Sequence, residues 1–320
     1  MELRTIVGTN IQVMPVAMGC WPITGITSIG VIKEQSLATL KAAFDSGINF
    51  FDTAYCYGYD GESERMISVA LGSHRDEITI ATKGGIHWEN RKQKKDGRPE
   101  TLRRQCDESL RRLNTDRVEL YYLHAPDPAV PIFESAGALK ELMDAGKVLS
   151  VGVSNFNVSQ MEEFASVCPI SASQPHFNML QREIKAAHLP WCRQRSVSVM
   201  VYWPLMKGLL AGKLSRNHVF DPQDCRQAYP MFKGDEWCKN HDFIDKLRSI
   251  ANEVGRTVAQ VVINWTIQQP GITVVLCGAK RPDQIRDNAA SMDWKLTDEQ
   301  LEQIDQAIQE RGSVVSHAVV

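Results

Sequence analysis

Lys41-Ala42-Ala43-Phe44-Asp45-Ser46-Gly47-Ile48-Asn49-Phe50-Phe51-Asp52 reads as the end of one structural element and the whole of the next. Over residues 35–45, apolar side chains recur three and four positions apart, the spacing of an amphipathic helix. Gly47 then stands where a helix-ending glycine stands. Asn49-Phe50-Phe51 is a short apolar run that predicts a buried strand, and an acid, Asp52, follows at its C-terminal end.

The pattern repeats along the chain. Apolar runs at 16–18, 78–80, 118–123, 149–153, 170–173, 197–201 and 272–276 join the one at 49–51 to make eight. Helical periodicity returns at 101–113 and 133–145, and Gly146 and Gly271 again stand before strands. Strand–helix alternation implies a parallel sheet with right-handed crossovers. Eight repeats fit a closed (β/α)8 TIM barrel better than an open doubly wound sheet. Residues 5–14 read as an N-terminal β-hairpin turning at Gly8-Thr9-Asn10, ahead of the first barrel strand. No stretch reads as a linker, so all 320 residues are expected to form a single domain, a size that one barrel fills. Residues 213–236 are polar and rich in Asp, Pro and Gln, and read as a long loop, functional or disordered, that is also a candidate pocket wall.

Composition narrows the function. A formal net charge of -2 gives no reason to expect a nucleic-acid partner, and the basic clusters read as solvated helix faces and a loop. No apolar run approaches the ~20 residues that span a bilayer, and Met1-Glu2-Leu3-Arg4 does not start a signal peptide. A cytoplasmic protein is expected, with no membrane partner. Its eight cysteines should then be reduced thiols; they are scattered without a Cys-x-x-Cys pair, so no metal site is expected. Cys20 and Cys56 fall near the polar strand ends and read as packing residues. There is no Gly-x-Gly-x-x-Gly after the first strand, which argues against a Rossmann domain. Gly208-Leu209-Leu210-Ala211-Gly212-Lys213-Leu214 is one residue short of a P-loop and lacks its Ser or Thr.

In a barrel of this type the reacting groups come from the C-terminal strand ends. Asp52, Lys83 and His124 occupy such ends, and Tyr57 lies in the loop after Asp52. Reduction of a carbonyl needs a hydride donor and a proton donor. Tyr57 can supply the proton, although a free phenol has a pKa of about 10. Lys83 would lower that value, and Asp52 would keep Lys83 charged and oriented. His124 can donate to the carbonyl oxygen and support its developing charge. Each residue alone has an ordinary structural reading, as a helix start, loop residue or rim packing. The ordered set is what carries the inference.

That set resembles the aldo-keto reductase family. The likeness runs over nearly the whole chain, from the leading hairpin through Gly19-Cys20-Trp21, Gly58 and the Ser63-Glu64 pair. It implies hydride transfer between NADP(H) and a carbonyl or alcohol substrate, with Asp52, Tyr57, Lys83 and His124 as the catalytic tetrad. Ser154, Asn155 and Gln174 match residues that bind the nicotinamide carboxamide, and Tyr202 the aromatic on which the ring stacks. Leu205, Lys207, Gly208 and Lys213 match the phosphate loop. Gly278, Lys280, Gln284 and Asn288 match the adenosine end, where Lys280 or Arg281 would meet a 2′-phosphate. Gly19, Cys20, Trp21 and Asp52 complete the implied cofactor contacts. Trp21, Tyr55, Tyr57, Trp88 and His124 are the expected substrate walls, with Trp88 in a polar loop at 84–98 that covers the mouth.

Two features depart from the pattern: Trp203 replaces a small residue, and Gly278 and Gln284 replace the Lys and Arg found in one large branch. The substrate class stays open among sugars, small aldehydes, ketones and quinones. Some members of the family act as NADP(H)-binding regulatory subunits, which is the alternative function. A lyase or isomerase barrel without nicotinamide is a third.

Overall fold

Eight parallel strands close on themselves around a packed interior. The structure, a computed structural model, describes residues 2–315; Met1 and residues 316–320, which the single-domain reading also covers, lie outside the described residues. In chain order the strands are β1 (Arg4–Thr5), β2 (Gln12–Val13), β3 (Val16–Gly19), β4 (Phe50–Asp52), β5 (Thr79–Gly84), β6 (Ile86–Glu89), β7 (Lys92–Lys95), β8 (Leu120–Leu123), β9 (Val151–Ser154), β10 (Ala172–Gln174), β11 (Ser198–Val201) and β12 (Val274–Gly278). The helices are α1 (Lys33–Asp45), α2 (Glu62–Leu71), α3 (Pro99–Leu113), α4 (Ile132–Asp144), α5 (Val158–Ala165), α6 (His188–Gln194), α7 (Gly234–Glu253), α8 (Val258–Ile267), α9 (Pro282–Ala289) and α10 (Asp298–Arg311). The barrel runs β3-β4-β5-β8-β9-β10-β11-β12 and returns to β3. Each of the eight apolar runs read from the sequence contributes one of these strands.

Alternation of side chains along each strand builds two cores. Phe51, Ile80, Tyr121, Val153 and Val199 face outward and pack with the helices. Ala17, Phe50, Ala81, Leu120, Tyr122, Ala172, Met200 and Val274 face inward and fill the barrel. The N-terminal hairpin closes the bottom: Ile6 and Val13 join the inner cluster, and the Arg4 guanidinium donates to the carbonyls of Ile267, Ile272 and Thr273. Gly152 on β9 permits a close approach, since a Cβ there would enter the Tyr122 ring and come within 2.8 Å of the Ala172 carbonyl.

Two loop expectations change. Residues 84–98 are not an irregular loop: they contain the antiparallel hairpin β6–β7, turning through Asn90 and Arg91, both at positive φ. Residues 213–236 are partly ordered by 3-10 turns at Cys225–Ala228 and Pro230–Phe232 before α7 begins. Phe220, Phe232 and Trp237 pack edge to face there.

Candidate active site

The period of two that fills the barrel also builds its mouth. Phe50 points inward, so Asp52 does too, one step nearer the C-terminal end; Ala81 leads likewise to Lys83, Tyr122 to His124, Gly152 to Ser154, Ala172 to Gln174 and Met200 to Tyr202. Six polar or aromatic side chains from six strands thereby converge at one end.

Lys83 lies at the centre, with its side chain fully buried. An ammonium has three protons to place. Here Nζ donates to Asp52 Oδ1 at 2.6 Å, to the Thr53 carbonyl at 2.7 Å and to Tyr57 Oη at 3.5 Å. Removing one partner of such a buried pair strands a charge, at a cost of about 3–5 kcal/mol. Asp52 Oδ2 accepts from Gln174 Nε2 at 2.8 Å. Burial raises the Asp52 carboxyl, and Lys83 with the hydrogen bonds from Lys83 and Gln174 works against that rise.

Tyr57 reaches this group because the chain turns at Ala54, whose carbonyl accepts from the Tyr57 amide. Its ring sits edge-on to Trp21 at 5.0 Å and to His124 at 5.9 Å between centroids. Lys83 is expected to lower the Tyr57 pKa, but the net shift is upward. Burial, and next the Asp52 carboxylate, push the phenol well above its ordinary value. Tyr57 is therefore a neutral phenol, and since its oxygen accepts from Lys83, its own proton is directed elsewhere. His124 is also neutral, held well below its ordinary value by burial first and then by Lys83 and Lys95. Its Nδ1 lies 3.6 Å from Cys56 Sγ, which leaves Nε2 for the mouth.

The expected carboxamide readers bond one another. Ser154 Oγ donates to the Gln174 carbonyl, and Asn155 Nδ2 donates to the His124 carbonyl and to Ser154 Oγ. Tyr202 Oη donates to Asn155 Oδ1 at 2.7 Å, so its ring rather than its hydroxyl is what Tyr202 offers. Beyond β11 the backbone passes through positive φ at Trp203, Met206, Lys207 and Gly208. Such a left-handed run forms a concave turn of the kind that takes an anion, with the Met206 and Gly208 amides themselves given to the Trp203 and Leu205 carbonyls. Leu205 begins this turn and its carbonyl accepts from Gly208 and Leu210. Gly19 and Gly278 pair at the ends of β3 and β12, where a Cβ on Gly278 would come within 2.8 Å of Pro22. Glycine floor, concave turn, aromatic ring and amide-bearing side chains match the chemistry of a dinucleotide: residues 154, 155, 174 and 202 would hold a nicotinamide end, and 205–208 its phosphates.

One expected site residue is placed differently, and others already have protein partners. Tyr55 is not on the mouth. Its side chain turns toward α3, where its hydroxyl donates to Glu108 Oε2 at 2.7 Å and Arg112 lies over its ring at 4.4 Å. The Cys20 side chain is fully buried, close enough to Asp52 and Lys83 for both charges to act on it. Lys213 is paired with Asp287 and Arg281 with Asp283. Lys280 Nζ donates to the Ile29 carbonyl, and its amide to Gln284 Oε1; Asn288 is buried in α9. Trp203 packs edge-on to Tyr229, with Lys207 above both rings. Trp88 packs on the loop that carries Tyr57 and donates to the Cys56 carbonyl at 2.8 Å.

Arg226 was not read as a site residue from sequence. It is held by Asp224 through paired hydrogen bonds, its guanidinium lies beside Gly208, and its charge acts on Lys280. No sequence pattern marks it, because its position depends on the path of the 213–236 segment.

Fold and site together define a barrel oxidoreductase of the nicotinamide-dependent kind. The chain belongs to the aldo/keto reductase family, whose sequence profile matches residues 15–309. It is 34% identical over 307 residues to the aldo-keto reductase YhdN of Bacillus subtilis, covering 95% of this chain and 92% of that one. It is 28% identical over 306 residues to an NADH-specific methylglyoxal reductase of Escherichia coli, covering 91% and 93%. A solved glycerol dehydrogenase of Gluconobacter oxydans superposes with a TM-score of 0.91 at 32% identity, over all of this chain and 98% of that one.

Proposed function

We propose that this chain transfers hydride between NADP(H) and a carbonyl or alcohol substrate, an aldehyde, ketone or sugar, as a single barrel domain working in the cytoplasm. The observation that carries the proposal is the hydrogen bond from Lys83 Nζ to Tyr57 Oη, with Asp52 behind it. When bound, the cofactor supplies hydride to the carbonyl carbon or takes it back.

Tyr57 gives its proton to the carbonyl oxygen during reduction, and the adjacent Lys83 ammonium stabilises the phenolate left behind. Neutral His124 donates from Nε2 to the same oxygen, fixing its direction and supporting the charge that develops there. In oxidation the roles reverse. Trp21, Trp88 and the Tyr57 ring keep water from the reacting atoms. Lys280, Arg281 and Arg226 support a preference for NADP(H), since a 2′-phosphate pairs well with cations. Family membership leaves that choice open, because one relative is NADH-specific.

The test is a panel of carbonyls and alcohols with NADPH, NADH and their oxidised forms, read at the cofactor absorbance. Turnover with NADPH is expected. Tight NADPH binding without turnover of any substrate would instead indicate a regulatory subunit.

A further inference from the structure

The hairpin β6–β7 carries information about the substrate. Its register pairs Ile86 with Lys95, His87 with Lys94, Trp88 with Gln93 and Glu89 with Lys92. Directly paired residues share a face and successive residues alternate. Ile86, Trp88, Gln93 and Lys95 therefore lie on one face, and His87, Glu89, Lys92 and Lys94 on the other. Contacts agree with that division. Ile86 is buried with Ala54, Cys56 and Ala125. Trp88 Nε1 donates to the Cys56 carbonyl, and Gln93 Nε2 reaches Cys56 Sγ at 3.8 Å. On the opposite face Lys94 pairs with Glu89.

The first face is thus seated on the loop that carries Tyr57, and Lys95 belongs to it. Lys95 has no carboxylate partner among the described residues; the next residue, Asp96, is taken by Arg98. Lys95 is close enough to act electrostatically on His124. The other charges of the mouth offset each other, because Asp52 and Lys83 are paired and Tyr57 and His124 are neutral. Lys95, exposed and without an ion pair among the described residues, adds a positive charge at the end of the hairpin face that packs on the Tyr57 loop.

We propose that Lys95 is a specificity-determining residue that favours carbonyl substrates bearing an anionic group, carboxylate or phosphate, a few atoms from the C=O. This rests on the oxidoreductase reading above. Lys95 is exposed, so its attraction for an anion is screened by water and salt, and the contact acts through KM more than through kcat.

The experiment compares kcat/KM within matched pairs: 4-oxobutanoate against butanal, and glyceraldehyde 3-phosphate against glyceraldehyde. It uses the wild type, Lys95→Gln and Lys92→Gln, with saturating cofactor, at low and high salt. The wild type is expected to favour the anion in at least one pair by about fivefold or more. The pair that shows it distinguishes carboxylate from phosphate. Lys95→Gln should abolish most of that ratio, Lys92→Gln on the opposite face should keep it, and salt should reduce it. A wild-type ratio no higher than that of Lys95→Gln overturns the assignment. So does an equal fall in both variants, which would mean a diffuse field. Absence of turnover of all four compounds by protein that binds cofactor overturns this assignment, and the oxidoreductase reading falls with it only if the full carbonyl and alcohol panel gives no turnover either.

Discussion

Gln174 donates to Asp52 across the full width of the barrel: β10 and β4 are diametrically placed in the strand order, and Nε2 meets Oδ2 at 2.8 Å. Both carboxylate oxygens are then used, one by Gln174 and one by Lys83. The Lys83 ammonium is fixed from below, and its remaining proton is directed at Tyr57. A residue expected only to read the cofactor thereby orients the ammonium that faces Tyr57.

Replacing Tyr57 by Phe tests the centre of this arrangement. Tyr57→Phe keeps the ring contacts with Trp21 and His124 and removes the donor. General acid catalysis contributes typically ~10²–10⁴-fold, so turnover should fall by about that factor. NADPH affinity, read by fluorescence titration, should change little. Retention of more than about a tenth of the rate when chemistry limits turnover would exclude Tyr57 as the donor.

Lys83 gives a second, chemically distinct test. A Schiff-base lysine must lose its proton, and this one is held by a carboxylate at 2.6 Å and a carbonyl at 2.7 Å. Borohydride added with a carbonyl substrate should leave no adduct on Lys83 by mass spectrometry. A trapped adduct there would mean lyase or aldolase chemistry instead.

Much of this site could be read in the sequence, and the reason is periodicity. Asp52, Lys83, His124 and Gln174 are polar residues at the ends of apolar runs, and in a barrel a residue two past an inward-facing one also faces inward. Tyr55 was misplaced because the turn after Ala54 decides which tyrosine faces the mouth, and the loop sequence does not encode that direction legibly. Lys92-Gln93-Lys94-Lys95 has little strand propensity of its own; pairing with β6 makes it a strand. The rise in the Tyr57 pKa depends on burial, and the position of Arg226 on a fold-back of residues 213–236. Both are tertiary properties.

Cofactor choice can be tested at the cations. Lys280→Gln with Arg281→Gln should weaken NADPH binding and leave NADH binding nearly unchanged. A charge-assisted hydrogen bond contributes about 1.5–3 kcal/mol, which corresponds to roughly ten- to a hundredfold. Arg226→Gln should weaken NADPH in the same direction, since the Arg226 guanidinium lies beside Gly208 as a further cation for the phosphates. Equal losses for the two cofactors in the double variant would mean that the pair only supports α9. A wild type that binds NADH as tightly as NADPH would end the proposed preference, and Gly278 and Gln284 would then be the informative residues.

Acid stability provides a test remote from the chemistry. His188 opens α6, buried, with Nε2 2.9 Å from Ser173 Oγ. Burial lowers its pKa from 6.5 to about 4. Between those values the unfolded chain binds a proton that the folded chain does not, so stability falls as pH falls through that window. Above pH 6.5 both states are neutral there and the contribution is flat. The shift corresponds to a loss of up to about 3 kcal/mol once pH is below 4. His188→Gln removes this titration while keeping a polar group near Ser173. Urea unfolding at pH 7.5 and pH 4.5 should show the variant gaining about 2–3 kcal/mol on the wild type over that interval. Other buried groups titrate equally in both proteins and drop out of the comparison. A difference independent of pH would show that His188 takes up its proton in the folded state as readily as in the unfolded chain.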